Sequence, residues 1–433
     1  MTDSPLDYES IEIKANRFLG GRLRVPGSKS ITQRYLNLAL LQRSEEPVTI
    51  RGPLLSDDIV YFAGGLRQMG FEVEQGDGNL YITTTVPSID EQEIYCGAGG
   101  TMLRFLTASL TAISGTYRLD GIKRLRQRTI EPLVKCLREL GAGIENLGTD
   151  GFAPIRLYGP TLQGGRTSLD AGASSQFLSA LLMAGLKAEK RVEIKVEALT
   201  SEPYVDLTLD AIELFGGKVS RIGAIYYVEP SELSLNDVEV EPDFSSAAYP
   251  AAAAALTGAT VFLEGLTQNS RQGDRAFLDL LAKMGAIVEW EDDGVRVQGS
   301  GELNAVIADL SAIPDQVPTL AALAPFAKGT TRIENVPHLR IKESDRLSAM
   351  THGLRRLGAE VEELDDGLVI TGVWNRGKIP NDKTAVDTWG DHRIAMSLAL
   401  VGLRRPGVII RDPGVVAKSY PTYWDDFAKL ANG

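Results

Sequence analysis

Six short segments carry residues whose types and spacing could bind and move charge. They are PGSKSITQR from Pro26, GAGGTMLR from Gly97, GASSQF from Gly172, PDFSS from Pro242, IPDQVPT from Ile313 and GDHRIAM from Gly390. Each stands at the predicted start of a helix, where Ser, Thr and Asp serve as caps for unpaired backbone N–H groups. Several also place a cation or an amide close to that start: Lys29 and Arg34, Arg104, Gln176, and Arg393. A cation there works against the helix dipole by roughly 0.3–1 kcal/mol. A bound anion reverses the sign, because the dipole and the open N–H groups already favour negative charge. More cations follow the predicted strands: Lys123, Arg124, Arg126 and Arg128 in IKRLRQR, Arg340, Lys342 and Arg346 in HLRIKESDR, and Lys418 in VVAKSYP. Arginine forks match carboxylate and phosphate oxygens two at a time. The pattern therefore points to a pair of small substrates with several negative charges. Neither common phosphate motif explains it. PGSKS lacks the GxxxxGK[ST] spacing, and Met102 stands where GxGxxG needs its last glycine.

These segments are held by a repeat. One phrase recurs five times: an amphipathic helix ending in a glycine, a short strand, an acidic or glycine turn, and a second strand. The helix-ending glycines are Gly70, Gly141, Gly216, Gly285 and Gly358, about 70 residues apart. Glycine takes the left-handed conformation that ends many helices, and the DG turns are hairpin signals. A second phrase, a helix rich in Ala and Leu followed by a β-branched strand, recurs six times, with helices starting near Ser30, Thr101, Ser175, Ser246, Val317 and His392. Their mixture of small apolar residues on all faces predicts helices buried on most sides. The sixth copy of the first phrase is missing, and Phe18–Val25 and Trp424–Leu430 could supply it from the two chain ends. The chain reads as an α/β protein of six βαβαββ units, three in each of two similar domains. A solenoid used only for binding is the alternative, although solenoid units are usually shorter.

The chain has 433 residues, too many for one ordinary core. A net charge of -12 excludes a nucleic-acid-binding surface over the whole protein while allowing a local cationic pocket. Cys96 and Cys136 form no CxxC pair, which argues against a zinc site or disulfide framework; Cys136 falls on an apolar helix stripe. The acidic start MTDSPLDYES reads as neither a secretory signal nor a transit peptide. The run AAYPAAAAAL is too short to span a bilayer. The expectation is a cytoplasmic protein, monomeric, with no membrane or nucleic-acid partner.

Taken in order, PGSKS, SSQF, SEPY, IPD, KESDR, DHR and AKSYP resemble the enolpyruvyl transferase family over nearly the whole chain, and specifically its members that act on 3-phosphoshikimate. The resemblance implies an inside-out α/β barrel in each domain, buried parallel helices, and the first strand placed with the C-terminal domain. The domains would be 1–26 with 243–433, and an inserted 27–242, with the active-site cleft between them. It implies transfer of the carboxyvinyl group of phosphoenolpyruvate to the 5-hydroxyl of 3-phosphoshikimate, in the shikimate pathway that leads to aromatic amino acids, with no metal or organic cofactor. Lys29, Ser30, Arg34, Ser174, Ser175, Gln176, Ser201, Tyr204, Asp315, His338 and Lys342 would hold 3-phosphoshikimate. Lys29, Gly100, Arg124, Gln176, Arg346, Arg393 and Lys418 would hold phosphoenolpyruvate, and Gly100 leaves room for the herbicide glyphosate. Asp315 would be the base for the attacking hydroxyl, Glu343 would handle the C3 proton, and Lys29 would assist. Without the resemblance, Asp315 reads as a cap residue and Glu343 as a first-turn acid.

This chain departs from the family pattern at Ala98, usually Asn, at His338, also usually Asn, and at Thr129, usually Pro. His338 either takes over the asparagine contact or lies exposed. Two alternatives stay open: the sister activity on UDP-N-acetylglucosamine, which typically uses a reactive loop cysteine that GIKRLRQRT lacks, and an inactive anion-binding relative.

Overall fold

The computed structural model describes residues 10–15, 18–84 and 91–432. The acidic opening segment, residues 1–9, lies outside them, and with it most of the stretch read as carrying no leader. The chain forms two compact units: the described residues up to Pro26 together with Pro242 onward, and Gly27–Glu241.

In the unit Gly27–Glu241, three helices form the interior: α1 (Lys29–Gln42), α2 (Gly100–Ser109) and α3 (Gln176–Gly185). They pack against one another. Burial extends around each helix rather than along one stripe. Leu36, Leu38, Leu40, Phe105, Leu106, Phe177 and Leu181 are all inaccessible to solvent. Each such side chain stabilises the fold by about 1.5–3 kcal/mol. Three four-stranded sheets wrap these helices, and each contains an antiparallel hairpin, such as Phe71–Gly76 with Asn79–Thr84. The edge strand Asp237–Glu239 returns from the far end of the unit to pair in parallel with Val48–Arg51. All five helix-ending glycines have positive φ, from 83° to 109°, as the repeat predicts.

The other unit repeats the plan around α4 (Phe244–Thr257), α5 (Val317–Leu323) and α6 (His392–Gly402). In α4 every residue from Phe244 to Leu256 is buried. The alanines let neighbouring helices interdigitate closely. Two of its sheets have four strands. The sixth sheet has three, with Ser10–Glu12 running antiparallel to Val408–Arg411. The segments expected to complete the sixth repeat divide their roles. Gly20–Leu23 runs parallel to Thr260–Glu264 in a different sheet. Trp424–Leu430 lies within a helix, Tyr423–Asn432, with Asp425 and Asp426 in its first turn. Among the described residues no helix is long and apolar enough to cross a membrane.

Candidate active site

The sequence motifs of Gly27–Glu241 collect at the starts of its buried helices. Gly27 of PGSKS has a steric reason: a Cβ there would stand 2.1 Å from the carbonyl oxygen of Gly52. Beyond this close approach, Lys29 opens α1 with its Nζ 3.3 Å from Asp58 Oδ2. Ser30 is half-buried one residue on, and its carbonyl accepts from Arg34 Nη1 at 2.7 Å. Arg34 also donates to Thr208 Oγ1 at 2.8 Å and to the Tyr204 carbonyl at 2.6 Å. These acceptors are neutral, and Arg34 as a whole is 2 % exposed. Burial lowers its pKa to about 10. A buried cation held by neutral groups is a place for an anion.

The starts of α2 and α3 interlock. Arg104 donates to Gln176 Oε1 at 2.5 Å, and Gln176 Nε2 donates to Thr101 Oγ1 at 2.9 Å. The Arg104 guanidinium lies 5.1 Å from the Phe177 ring centre. Ser174 and Ser175 are buried beside this pair, and the Gln176 N–H donates to Ser174 Oγ at 3.3 Å. Ser201 is held at φ 54° just before Tyr204, whose N–H donates to the Ser201 carbonyl. Among the loop cations the group set against Gly100 is Arg128: a Cβ on Gly100 would lie 2.8 Å from its guanidinium carbon. Arg128 is buried, whereas Arg124, the residue carried over by resemblance, is half-buried at the start of the 3-10 turn Leu125–Gln127. Arg104 and Arg128 were legible as cations but were not among the candidate site residues.

In the second unit the motifs form a network of opposite charges. Asp315 sits in the 3-10 turn that leads into α5. Its two oxygens accept from Arg346 Nη1 at 2.8 Å and Arg393 Nη2 at 2.7 Å. Arg346 also reaches Glu343 Oε2 at 3.0 Å and, through Nε, Asp391 Oδ2 at 2.8 Å. Burial would lower the pKa of Arg346, yet Asp391, Glu343 and Asp315 together hold it above its usual value. Lys418 Nζ lies 3.2 Å from the other Glu343 oxygen. Asp391 caps α6 by accepting from the Arg393 N–H at 3.0 Å and takes Ser344 Oγ at 3.1 Å. The network converges on Arg346, and Asp391 is its most buried carboxylate partner; the helix-cap position of Asp391 was read from the sequence, its hold on Arg346 was not.

Lys342 is half-buried. His338 is buried, which removes the exposed reading, and its Nε2 has no hydrogen-bond partner. Burial, with Lys342 and Arg346 nearby and against the pull of Asp315, lowers its pKa to about 4, so the ring is neutral near pH 7. Asp243 caps α4, accepting from the Ser245 N–H and Ser246 Oγ. Burial raises its pKa to about 6, against the opposing charge of Arg393 and with the repulsion of Asp274. Among the described residues no group of three His, Cys, Asp or Glu side chains is placed to hold a metal.

Repeat-built units that bring charged helix starts together define an α/β protein of the small-anion-handling class. A family model described as EPSP synthase (3-phosphoshikimate 1-carboxyvinyltransferase) matches residues 13–427, and the chain belongs to that family. It is 45% identical over 414 residues to the 3-phosphoshikimate 1-carboxyvinyltransferase of Syntrophobacter fumaroxidans, covering 94% of this chain and 96% of that one. It is 42% identical to the protein of the same name from Vibrio cholerae serotype O1 strain M66-2, covering 98% and 100%. The solved EPSP synthase from Acinetobacter baumannii superposes with a TM-score of 0.80 at 29% identity, covering 98% of this chain and 97% of that one.

Proposed function

We propose that this chain transfers the carboxyvinyl group of phosphoenolpyruvate to the 5-hydroxyl of 3-phosphoshikimate and releases phosphate. The observation that carries this reading is the bridging of Asp315 between Arg346 and Arg393, with Glu343 shared between Arg346 and Lys418. Two carboxylates able to move protons thus sit among cations able to hold a carboxylate and a phosphate. Asp315 takes the hydroxyl proton as that oxygen attacks C2 of the donor. Glu343 delivers a proton to C3, assisted by Lys29, and removes one again when the addition intermediate expels phosphate and the double bond returns. Positioned acids and bases of this kind contribute about 10²–10⁴-fold each. The fixed cations stabilise the charge that develops, and this stabilisation usually lowers the barrier further than proton transfer does.

Lys29, Ser30, Arg34, Ser174, Ser175, Gln176, Ser201 and Tyr204 bind 3-phosphoshikimate in this scheme, joined by Asp315, His338 and Lys342 at the ring hydroxyls. The backbone at Gly100, with Lys29, Arg124, Gln176, Arg346, Arg393 and Lys418, holds phosphoenolpyruvate. The contact with Gly100 adds Arg128 to that set. Cys96 and Cys136 are both buried, and burial pushes both thiols up, so neither is a poised thiolate. We place the enzyme in the cytoplasm, acting as a monomer.

The test is phosphate release from phosphoenolpyruvate with 3-phosphoshikimate or UDP-N-acetylglucosamine as acceptor. Release with 3-phosphoshikimate alone is the expected result. Release only with the nucleotide sugar reassigns the acceptor, and release with neither makes the chain an anion-binding relative.

A further inference from the structure

Asp58 is the second residue of the helix Asp57–Gln68 and is 5 % exposed. One of its carboxylate oxygens faces the Lys29 ammonium at 3.3 Å. The other lies 3.5 Å from where a Cβ on Gly99 would stand, against the turn that opens α2. Asp58 therefore lies between the lysine proposed to touch both substrates and the backbone proposed to receive the donor phosphate. The pair is looser than the 2.7–2.9 Å usual for an ammonium on a carboxylate. Among the described residues, Asp58 is the carboxylate paired with Lys29. A long flexible stem lets that ammonium turn to a new acceptor. Asp58 would not be stranded by the exchange, since it stands in the first turn of its own helix, where the dipole favours an anion.

Resting on the function proposed above, we infer that Asp58 is an exchangeable counter-ion for Lys29. It neutralises the lysine while the site is empty and releases it to the incoming phosphate. A residue in this role competes with the substrate. Its removal tightens anion binding, whereas loss of a structural support weakens it.

The experiment is a double-mutant cycle read by calorimetric titration with 3-phosphoshikimate and, separately, with inorganic phosphate. The proteins are wild type, Asp58→Asn, Lys29→Met and the double variant, and the thermal midpoint of each is measured first. Asp58→Asn is expected to bind both probes about fivefold more tightly than wild type. In the Lys29→Met background the same change is expected to alter affinity by less than twofold, because the competitor then has nothing to compete for. Asp58→Gln serves if the asparagine variant melts early. Weaker binding in the aspartate variants, or equal tightening with and without Lys29, overturns the inference. If wild type ignores 3-phosphoshikimate while the phosphate cycle shows the coupling, the counter-ion role stands and the proposed acceptor falls.

Discussion

The guanidinium of Arg128 occupies the space into which a side chain on Gly100 would project, its carbon 2.8 Å from where a Cβ would stand. Because the obstacle is the far end of a flexible side chain, Gly100→Ala is expected to fold. The arginine would be displaced from the start of α2. The KM for phosphoenolpyruvate should rise about tenfold, the cost of roughly 1.4 kcal/mol of lost binding, while the dissociation constant of 3-phosphoshikimate stays within twofold. Steady-state kinetics and a binding titration separate the two.

Asp315 and Asp391 both hold Arg346, and their burial predicts opposite phenotypes. The Asp391 side chain is wholly buried, and that of Asp315 is 25% exposed. Asp391→Asn keeps an oxygen to cap α6 but leaves Arg346 without its most buried partner. Breaking a buried pair costs about 3–5 kcal/mol, to be read as a lower urea midpoint. Asp315→Asn should cost far less stability, yet lower kcat by about 10²–10⁴-fold if it is the base.

His338 links stability to pH. Its pKa falls from 6.5 to about 4 on burial. The unfolded chain therefore binds a proton between those values and the folded chain does not. The stabilisation is complete above pH 6.5 and is lost as pH falls toward 4. Denaturant titrations across that window should show His338→Asn to be less acid-sensitive than wild type. Identical slopes for the two proteins would assign the acid sensitivity to other groups.

Arg34 is a charge in search of a partner. Adding 3-phosphoshikimate at a hundred times its dissociation constant should stabilise the fold by about 2.7 kcal/mol. Arg34→Met should remove most of that ligand-induced rise in Tm, and it should lower the Tm of the free protein as well, because Thr208 Oγ1 and the Ser30 and Tyr204 carbonyls lose their donor. A melting curve with and without ligand decides it.

Much of this architecture was written in local signals. The five glycines between Gly70 and Gly358 mark helix ends because a left-handed residue is needed there. The Ala-rich stretch from Ala247 marks a helix without a solvent face. The opposite charges were harder to read. Asp58, Asp243 and Asp391 look like ordinary helix-start residues, and their roles come from the neighbours that folding brings to them: Lys29 to Asp58, Arg346 to Asp391, and the charges of Arg393 and Asp274 to Asp243. Choosing among the cations of IKRLRQR depended on the single turn at Leu125–Gln127, after which Arg128 is the group set against Gly100. Spacing within one loop carries no such information.

The order in which the chain threads its two units has a consequence for its synthesis. On one side of the crossing the Ser28 N–H donates to the Glu241 carbonyl; on the other the Asp243 N–H donates to the Pro26 carbonyl. Residues 27–241 thus form an uninterrupted stretch whose ends meet, and it can complete its structure while still being translated. The other unit cannot, because Ser10–Glu12 must wait for Val408–Arg411 before its last sheet can close. Nascent chains long enough for residue 241 to have left the ribosome should already protect residues 27–241 from protease, while Ser10–Glu12 remains unpaired until Val408–Arg411 has emerged.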